Sequence, residues 1–291
     1  HDPADPASLS DDNVWTAFED RDGTIWIGTD GGLDRLEKDG TFVHYRHDPA
    51  DATTIGGNSV ASITQDKSGL LWLGTYGGGV SVLDKTSGTV VRHTHDPKDL
   101  NSLAHDGVWV VFVDSTDNVW AGSEGGLTRF AALDRMPKTF RHDAADPGSF
   151  SGGTVTAVFE DDDGRLWFGT FGDGISIFDP RIERFETRRN SRTDPRSISS
   201  NTIWKFLKDR KGALWIATEN GINRSSSLDQ NFETYEYHPT GGLSAPTIEA
   251  VFEDPNGILW IGTESGGLNR LDREAGTLLN GTTTPSVAPA L

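Results

Sequence analysis

The stretch Asp20-Arg-Asp-Gly-Thr-Ile-Trp26-Ile-Gly-Thr-Asp-Gly-Gly-Leu33 recurs along the chain and decides its fold. Its six copies are centred on tryptophans spaced 46, 48, 47, 48 and 45 residues apart: Trp26, Trp72, Trp120, Trp167, Trp215 and Trp260. A period of this length is typical of one four-stranded blade of a β-propeller. The repeat therefore predicts an all-β chain, a β-propeller of six four-stranded blades.

Three positions of the repeat predict its local structure. An aspartate stands six residues before each tryptophan, and a glycine stands three residues before it except in the third copy, which has Asp117. This pairing suits a tight hairpin turn. A glycine, or once an alanine, follows each tryptophan by two residues on the same strand face, which lets a neighbouring sheet approach closely. We therefore expect the six tryptophans to be largely buried between radially packed blades.

The pattern divides the chain into three parts. Residues 1–12 resemble the end of a preceding repeat, and residues 283–291 form a Pro/Ala/Thr-rich tail that we expect to be disordered. Residues 13–282 hold the six repeats, with blades starting near 13, 59, 107, 154, 202 and 247. Each blade is expected to contain strands A to D in order. A closed six-bladed ring and an open arc of a larger ring both fit this count.

A finer pattern distinguishes odd blades from even ones. Eleven residues before the repeat tryptophan, a further tryptophan occurs only in odd blades: Trp15, Trp109 and Trp204. In propellers the A strands line the central channel, and the D-to-A and B-to-C loops share one mouth, so we expect these tryptophans to ring that mouth. Packing between blades is the alternative.

The B-to-C loops add further candidates at the same mouth. These are two aromatic residues and four acids: Tyr76, Phe171, Asp30, Glu124, Glu219 and Glu264. Aromatic faces cover apolar patches of a ligand while carboxylates accept hydroxyl protons. The combination predicts a site for an oligosaccharide or another small polar ligand.

Composition and charge exclude several function classes. The chain has 26 Lys and Arg against 44 Asp and Glu, a net charge of −18, and such a surface repels phosphate backbones and anionic lipid. No apolar run is long enough to span a bilayer. We therefore expect no nucleic-acid partner and no direct membrane contact. Since the chain begins at His1, we also expect a processed form or a piece of a longer protein.

No pattern predicts catalysis, a metal or another cofactor. The recurring His-Asp pairs, at His1, His47, His95 and His142, favour turns over metal ligands because Asp-Pro sequences form turns. A basic run between Arg181 and Arg196 could bind a sulfated or carboxylated ligand. An exposed outer strand would carry the same charges, and the sequence favours that solvated face.

The pattern Val-x5-Asp-x2-Gly-x-[Ile/Leu/Val]-Trp-[Ile/Leu]-Gly-Thr-x-x-Gly-Gly-Leu resembles the two-component regulator propeller repeats over roughly residues 13–282. Such repeats form the extracytoplasmic sensing region of bacterial hybrid histidine kinases and of some diguanylate cyclases. The resemblance implies a periplasmic, non-catalytic sensor module that binds a small molecule and dimerises through its parent receptor.

Two alternatives stay open. The chain could be a scaffold for protein interaction or dimerisation. It could also be a metal-dependent lyase, since virginiamycin-type lyases have a comparable repeat and His105 with nearby acids could hold a divalent ion.

Overall fold

The computed structural model describes residues 1–225 and 232–280. These residues contain 24 strands in six four-stranded sheets, and in each sheet the strands are adjacent in chain order. The predicted all-β fold of six four-stranded blades is confirmed. The predicted disordered tail, residues 283–291, lies outside the described residues. Within the described ranges, no helix is long and apolar enough to cross a membrane.

Two compact units divide the chain. The first consists of residues 1–156 with 162–164, and the second of residues 157–161 with those from 165 onward. The interpretation of residues 13–282 as a single propeller domain stays a prediction.

The first unit holds three complete blades. Blade 1 contains β1 (Val14–Glu19), β2 (Ile25–Thr29), β3 (Leu33–Leu36) and β4 (Phe42–Tyr45). Blade 2 contains β5 (Val60–Gln65), β6 (Leu71–Thr75), β7 (Gly79–Leu83) and β8 (Val90–His93). Blade 3 contains β9 (Val108–Val113), β10 (Val119–Ser123), β11 (Gly126–Phe130) and β12 (Pro137–Phe140).

The second unit begins within the first strand of blade 4. Blade 4 contains β13 (Thr154–Glu160), β14 (Leu166–Phe171), β15 (Ile175–Asp179) and β16 (Arg184–Arg188). Blade 5 contains β17 (Ile203–Lys208), β18 (Leu214–Thr218), β19 (Gly221–Ser225) and β20 (Glu233–Tyr235). Blade 6 contains β21 (Ile248–Glu253), β22 (Leu259–Thr263), β23 (Gly267–Asp272) and β24 (Thr277–Asn280).

Each repeat aspartate builds the A-to-B turn and also holds the repeat tryptophan. In blade 1, Oδ1 of Asp20 accepts the backbone N–H groups of Asp22 (2.9 Å) and Thr24 (3.1 Å). Its Oδ2 accepts the indole N–H of Trp26 at 3.0 Å. The same indole bond recurs in the other five blades at 2.7 to 3.1 Å. At the turn position where the third repeat replaces glycine, Asp117 has a φ of 70°, so the turn keeps its left-handed residue.

Five of the six repeat tryptophans are at most 2% exposed, as predicted. Each of those with a described core packs against residues of the next repeat; Trp26, for example, lies with Val60 and Leu71 of blade 2. Trp260 departs from the prediction and is only half-buried.

Glycine on strand B allows the close approach of blades that the sequence predicts. A Cβ at Gly28 would lie 2.4 Å from the carbonyl oxygen of Val60, and one at Gly169 would lie 2.6 Å from a side-chain carbon of Ile203. Both contacts are with the first residues of the next strand A. A larger residue at these positions would force neighbouring blades apart.

Candidate functional site

A β-bulge places the alternating tryptophans on strand A. The register between strands A and B shifts across Trp15, across Trp109 and across Trp204, so each tryptophan is the extra residue of its strand. Blades 2 and 6 have the same shift, but there it carries Ala61 and Glu249. Bulges commonly re-aim a side chain near functional sites. The bulge is therefore a common feature of the repeat, and only odd blades equip it with an indole.

The B-to-C loops lie beside the starts of these A strands. The backbone N–H of Asp30 donates to the carbonyl of Asn13 (3.2 Å), and that of Tyr76 donates to the carbonyl of Ser59 (2.9 Å). The corresponding bonds of the three glutamates are 3.1 to 3.2 Å long and belong to Glu124, Glu219 and Glu264. These five candidate loop residues therefore each adjoin the start of strand A of their own blade.

Trp15 is held by Asp30 rather than buried. Its indole N–H donates to Oδ1 of Asp30 at 2.7 Å, and the same oxygen accepts the hydroxyl of Ser59 at 2.7 Å. Asn13 donates to the other carboxylate oxygen at 3.2 Å. The hydrogen bonds from Ser59 and Trp15 lower the pKa of Asp30 and outweigh the opposing effect of burial. Asp30 is therefore a carboxylate that fixes the orientation of the Trp15 ring.

Three aromatic rings of the first unit form one surface, which we call the aromatic cluster: Trp15, Tyr76 and Trp109. The Trp15 and Trp109 rings meet edge to face, with centroids 6.2 Å apart. Tyr76 meets Trp109 in the same way at 5.3 Å. Trp15 and Tyr76 are 51% and 53% exposed, whereas Trp109 is half-buried and its indole nitrogen has no partner in the described chain.

The second unit repeats part of this arrangement. Phe171 follows β14, is 54% exposed, and meets the half-buried Trp204 with ring centroids 5.9 Å apart. Glu219 and Glu264 are exposed in their loops. In both units, the loop aromatic of an even blade therefore packs against the bulge tryptophan of the next odd blade.

His105 and Glu124 lie close together in the first unit. Nδ1 of His105 is 3.6 Å from Oε2 of Glu124 and accepts the backbone N–H of Gly107 at 2.9 Å. Within the described ranges, no three His, Asp or Glu side chains cluster in a way that could hold a metal ion. The possible metal ligands at this position are therefore His105, whose Nδ1 accepts a backbone N–H, and the neighbouring carboxylate of Glu124.

Two features of this site go beyond what the sequence pattern predicts. One is the use of Asp30 to hold Trp15, with Ser59 and Asn13 as further donors. The other is the pairing of Tyr76 with Trp109, which joins consecutive repeats. The alternation itself carried a signal for this pairing, because loop aromatics occur in the two even blades that precede odd blades with a bulge tryptophan.

Comparison with known proteins identifies the repeats. The family profile of the two-component regulator propeller matches residues 8–31, 54–77, 149–172, 197–220 and 242–265. These are five of the six repeats. The unmatched third repeat is the one with Asp117 for glycine and with Ala121-Gly122-Ser123 after its tryptophan.

Solved structures give the same fold. The chain is 26% identical to the extracellular domain of a protein assigned to a hybrid two-component system of B. thetaiotaomicron, with a TM-score of 0.76, over 95% of this chain and 35% of that one. Virginiamycin B lyase from Staphylococcus aureus is 16% identical, with a TM-score of 0.65 over 92% of this chain and 83% of that one. PorZ, a surface component of the type-IX secretion system of Porphyromonas gingivalis, is 19% identical, with a TM-score of 0.63 over 88% and 38%.

These likenesses differ in what they show. At 16% and 19% identity, the lyase and PorZ share only the fold with this chain. The chain spans about a third of the length of that extracellular domain, as the 35% coverage shows. No curated protein matches the chain. Five of the six repeats of this chain therefore match the two-component regulator propeller repeats that its sequence resembles.

Proposed function

We propose that this chain is a non-catalytic sensory module that binds a small polar ligand, such as an oligosaccharide, at the aromatic cluster. The observation that carries the proposal is the exposure of Trp15 and Tyr76, both packed against Trp109. Adjacent exposed rings on a soluble domain mark an interaction site because they keep apolar surface in water. Here they lie at the loop end of the inner strands, where propeller ligands have access.

The chemistry of the cluster favours a saccharide. A sugar ring presents an apolar face that stacks on an aromatic side chain and hydroxyl groups that need hydrogen-bond partners. Trp15 and Tyr76 supply the faces, and the buried indole N–H of Trp109 is a donor still without a partner in the described chain. Glu124 lies in the adjoining loop of the same unit and can accept hydroxyl protons.

Asp30 contributes by positioning. Its Oδ1 already accepts two hydrogen bonds, from Trp15 and Ser59, so its main effect is to fix the indole before a ligand arrives. A side chain fixed in advance loses less entropy on binding, which strengthens the complex. Phe171 and Trp204 provide a second aromatic pair, with Glu219 and Glu264 as acceptors in the same unit.

The comparisons support a receptor context. The regulator propeller repeats and the 26% identical extracellular domain of a two-component system both favour an extracytoplasmic sensor. In this proposal the parent protein is a histidine kinase or diguanylate cyclase that reads ligand binding and dimerises. A lyase activity has less support, because it rests on a shared fold and on His105, whose Nδ1 is engaged by Gly107.

A thermal-shift titration tests the proposal. Neutral oligosaccharides, small carboxylic acids and peptides are added to the wild-type chain, to Trp15→Ala and to Tyr237→Ala. A ligand that binds only the folded state raises the melting temperature, because the free energy of unfolding increases with the logarithm of the ligand concentration once this exceeds Kd. We expect a neutral oligosaccharide to raise the melting temperature of the wild type and of Tyr237→Ala, but not the melting temperature of Trp15→Ala.

Tyr237 is the matched control because it is also an exposed aromatic residue and belongs to a D-to-A loop outside the cluster. Equal shifts in all three proteins would place the ligand elsewhere and contradict the proposed site. Concentration-dependent dimerisation without any ligand shift would favour the scaffold alternative instead.

A further inference from the structure

The outer edge of blade 4 carries a second feature, which the aromatic cluster does not explain. A cavity of about 350 Å³ lies where β16 runs into the following D-to-A loop. Its lining includes Arg188, Arg189 and Arg196, the hydroxyl residue Ser191, and the buried Phe232. We propose that this cavity binds an anionic ligand through the sulfate or carboxylate group of a saccharide.

The loop does not need these arginines to keep its shape. Asp194 accepts the N–H of Arg196 at 3.0 Å, and the N–H of Ser191 donates to Ser197 Oγ at 2.8 Å. The loop after blade 3 makes the same two bonds, where Asp146 accepts from Gly148 and the N–H of Asp143 donates to Ser149, both at 3.0 Å. Gly148 therefore fills the position of Arg196 without loss of the turn.

Charge reversal separates this loop from the three D-to-A loops of the same length, which follow blades 1, 2 and 3. Residues 188–198 contain four arginines and one aspartate, a net charge of +3. The equivalent residues 45–55, 93–103 and 140–150 each have a net charge of −1. Ser191 replaces the first aspartate of the other loops, and Arg188 replaces the tyrosine, histidine or phenylalanine that ends strand D. A positive site within a chain of net charge −18 attracts a small anion.

Two arginines of the cavity, Arg189 and Arg196, have N–H donors to spare, whereas Arg188 is paired with Glu186. Nη2 of Arg189 lies 3.3 Å from Oδ1 of Asp173, and Nε of Arg196 lies 3.4 Å from Oδ1 of Asp194. Both distances are longer than a normal charge-assisted hydrogen bond. Arg181, on the same outer edge, instead forms a two-pronged pair with Asp179 at 2.9 and 2.7 Å. Since a guanidinium has five N–H groups, Arg189 and Arg196 can bind a further anion where Arg181 is already engaged.

Size and lining define the ligand class. A volume of about 350 Å³ lies at the small end of ligand sites and suits one or two sugar rings. Planar guanidinium groups bind carboxylate and sulfate oxygens in pairs. The buried Phe232 and Ile198 supply an apolar floor for the ring itself. A long polyanion is disfavoured because it would extend over the acidic remainder of the surface.

Calorimetric titration at low ionic strength tests the proposal. The probes are a sulfated disaccharide, a uronic-acid disaccharide, the matching neutral disaccharide, inorganic sulfate and inorganic phosphate. We expect the wild type to bind at least one of the two anionic disaccharides, and added salt to weaken that binding. The double variant Arg189→Ala/Arg196→Ala should bind at least about tenfold more weakly, because it removes two guanidinium groups that donate charge-assisted hydrogen bonds to the anion.

Arg181→Ala is the matched control, since it removes an arginine of the same run from outside the cavity. Its affinity should stay within about twofold of the wild type. The proposal is overturned if neither anionic disaccharide binds, or if the double variant binds as well as the wild type. The saccharide part is overturned if inorganic sulfate or phosphate binds as tightly as the disaccharides. Circular dichroism checks that both variants keep the β-sheet spectrum, so that weaker binding is not loss of fold.

Discussion

Replacing Asp20 by Asn tests whether the repeat aspartate stabilises its blade through charge. The Asp20 side chain is fully buried, with Lys85 Nζ at 2.6 Å from Oδ2 and the Trp26 indole donating to the same oxygen. Lys85 comes from the C-to-D turn of blade 2, so this ion pair joins two consecutive repeats. Asparagine keeps the shape of the side chain but removes the charge and one acceptor.

The expected loss in the free energy of unfolding follows from the pKa of Asp20. Burial acts to raise this pKa, but the hydrogen bonds from Lys85, Trp26 and the turn amides outweigh it and lower the pKa from 3.8 to about 2. A shift of that size corresponds to about 2 kcal/mol of folding free energy at neutral pH. We therefore expect Asp20→Asn to lower the free energy of unfolding by about 2 to 3 kcal/mol, including the lost acceptor.

The stability that Asp20 contributes depends on pH. Because the pKa of Asp20 is lower in the folded state, its stabilising effect is fully present above pH 3.8 and is lost as the pH falls through 2. The stability difference between wild type and Asp20→Asn should therefore be constant from pH 5 to 7, a range above both pKa values, and shrink on acidification below about pH 4.

Urea unfolding followed by circular dichroism measures this difference. Asp22→Asn is the control, because Asp22 binds the same Lys85 at 2.5 Å but its side chain is 72% exposed. Exposed ion pairs contribute at most about 1 kcal/mol, so this variant should stay close to wild type. The reasoning is refuted if both variants lose the same stability, or if the Asp20→Asn deficit persists unchanged in acid.

Two further predictions concern the packing of the blades and the nature of the aromatic cluster. Gly28→Ala should destabilise the chain by roughly 1 to 3 kcal/mol in urea unfolding, because the new Cβ would lie 2.4 Å from the Val60 carbonyl oxygen. Gly262→Ala, at the same repeat position but with its nearest neighbour at 3.4 Å, should change stability by under about 0.5 kcal/mol; equal losses would contradict the close-packing argument. Trp109→Ala should abolish saccharide binding and cost about 1 to 2 kcal/mol, since the ring is only half-buried, whereas a loss of 3 to 5 kcal/mol would identify a core residue.

The fold could be predicted from sequence because residues with the same structural roles recur in all six repeats. In the first repeat, Asp20 and Gly23 form the A-to-B turn. Trp26 fills the space between neighbouring blades, and Gly28 allows the next blade to approach closely. Each requirement is local or involves the next repeat in a fixed way. The second role of Asp20, as acceptor of the Trp26 indole, depends on side-chain directions that a spacing of six does not reveal.

The site was only partly predictable from the sequence, because its residues take their roles from contacts between different repeats. The sequence marks Trp15, Tyr76 and Asp30 as candidates, but contacts between blades decide their roles. Oδ1 of Asp30 accepts the indole N–H of Trp15 and the hydroxyl of Ser59 of the next repeat, a role that the sequence does not predict, while its contact with a ligand stays a prediction. The β-bulge that carries Trp15 could not be inferred either, since even blades have the same bulge with small or charged residues.

Calorimetric titration of a neutral oligosaccharide into Tyr76→Ala and Tyr76→Phe tests the central claim most directly. Tyr76 is exposed and packs on Trp109, so its aromatic face is the part that a sugar ring would cover. The account predicts that Tyr76→Phe, which keeps the face, binds within about threefold of wild type, while Tyr76→Ala loses more than about tenfold, or 1.4 kcal/mol. Wild-type affinity in Tyr76→Ala would contradict ligand binding at the aromatic cluster.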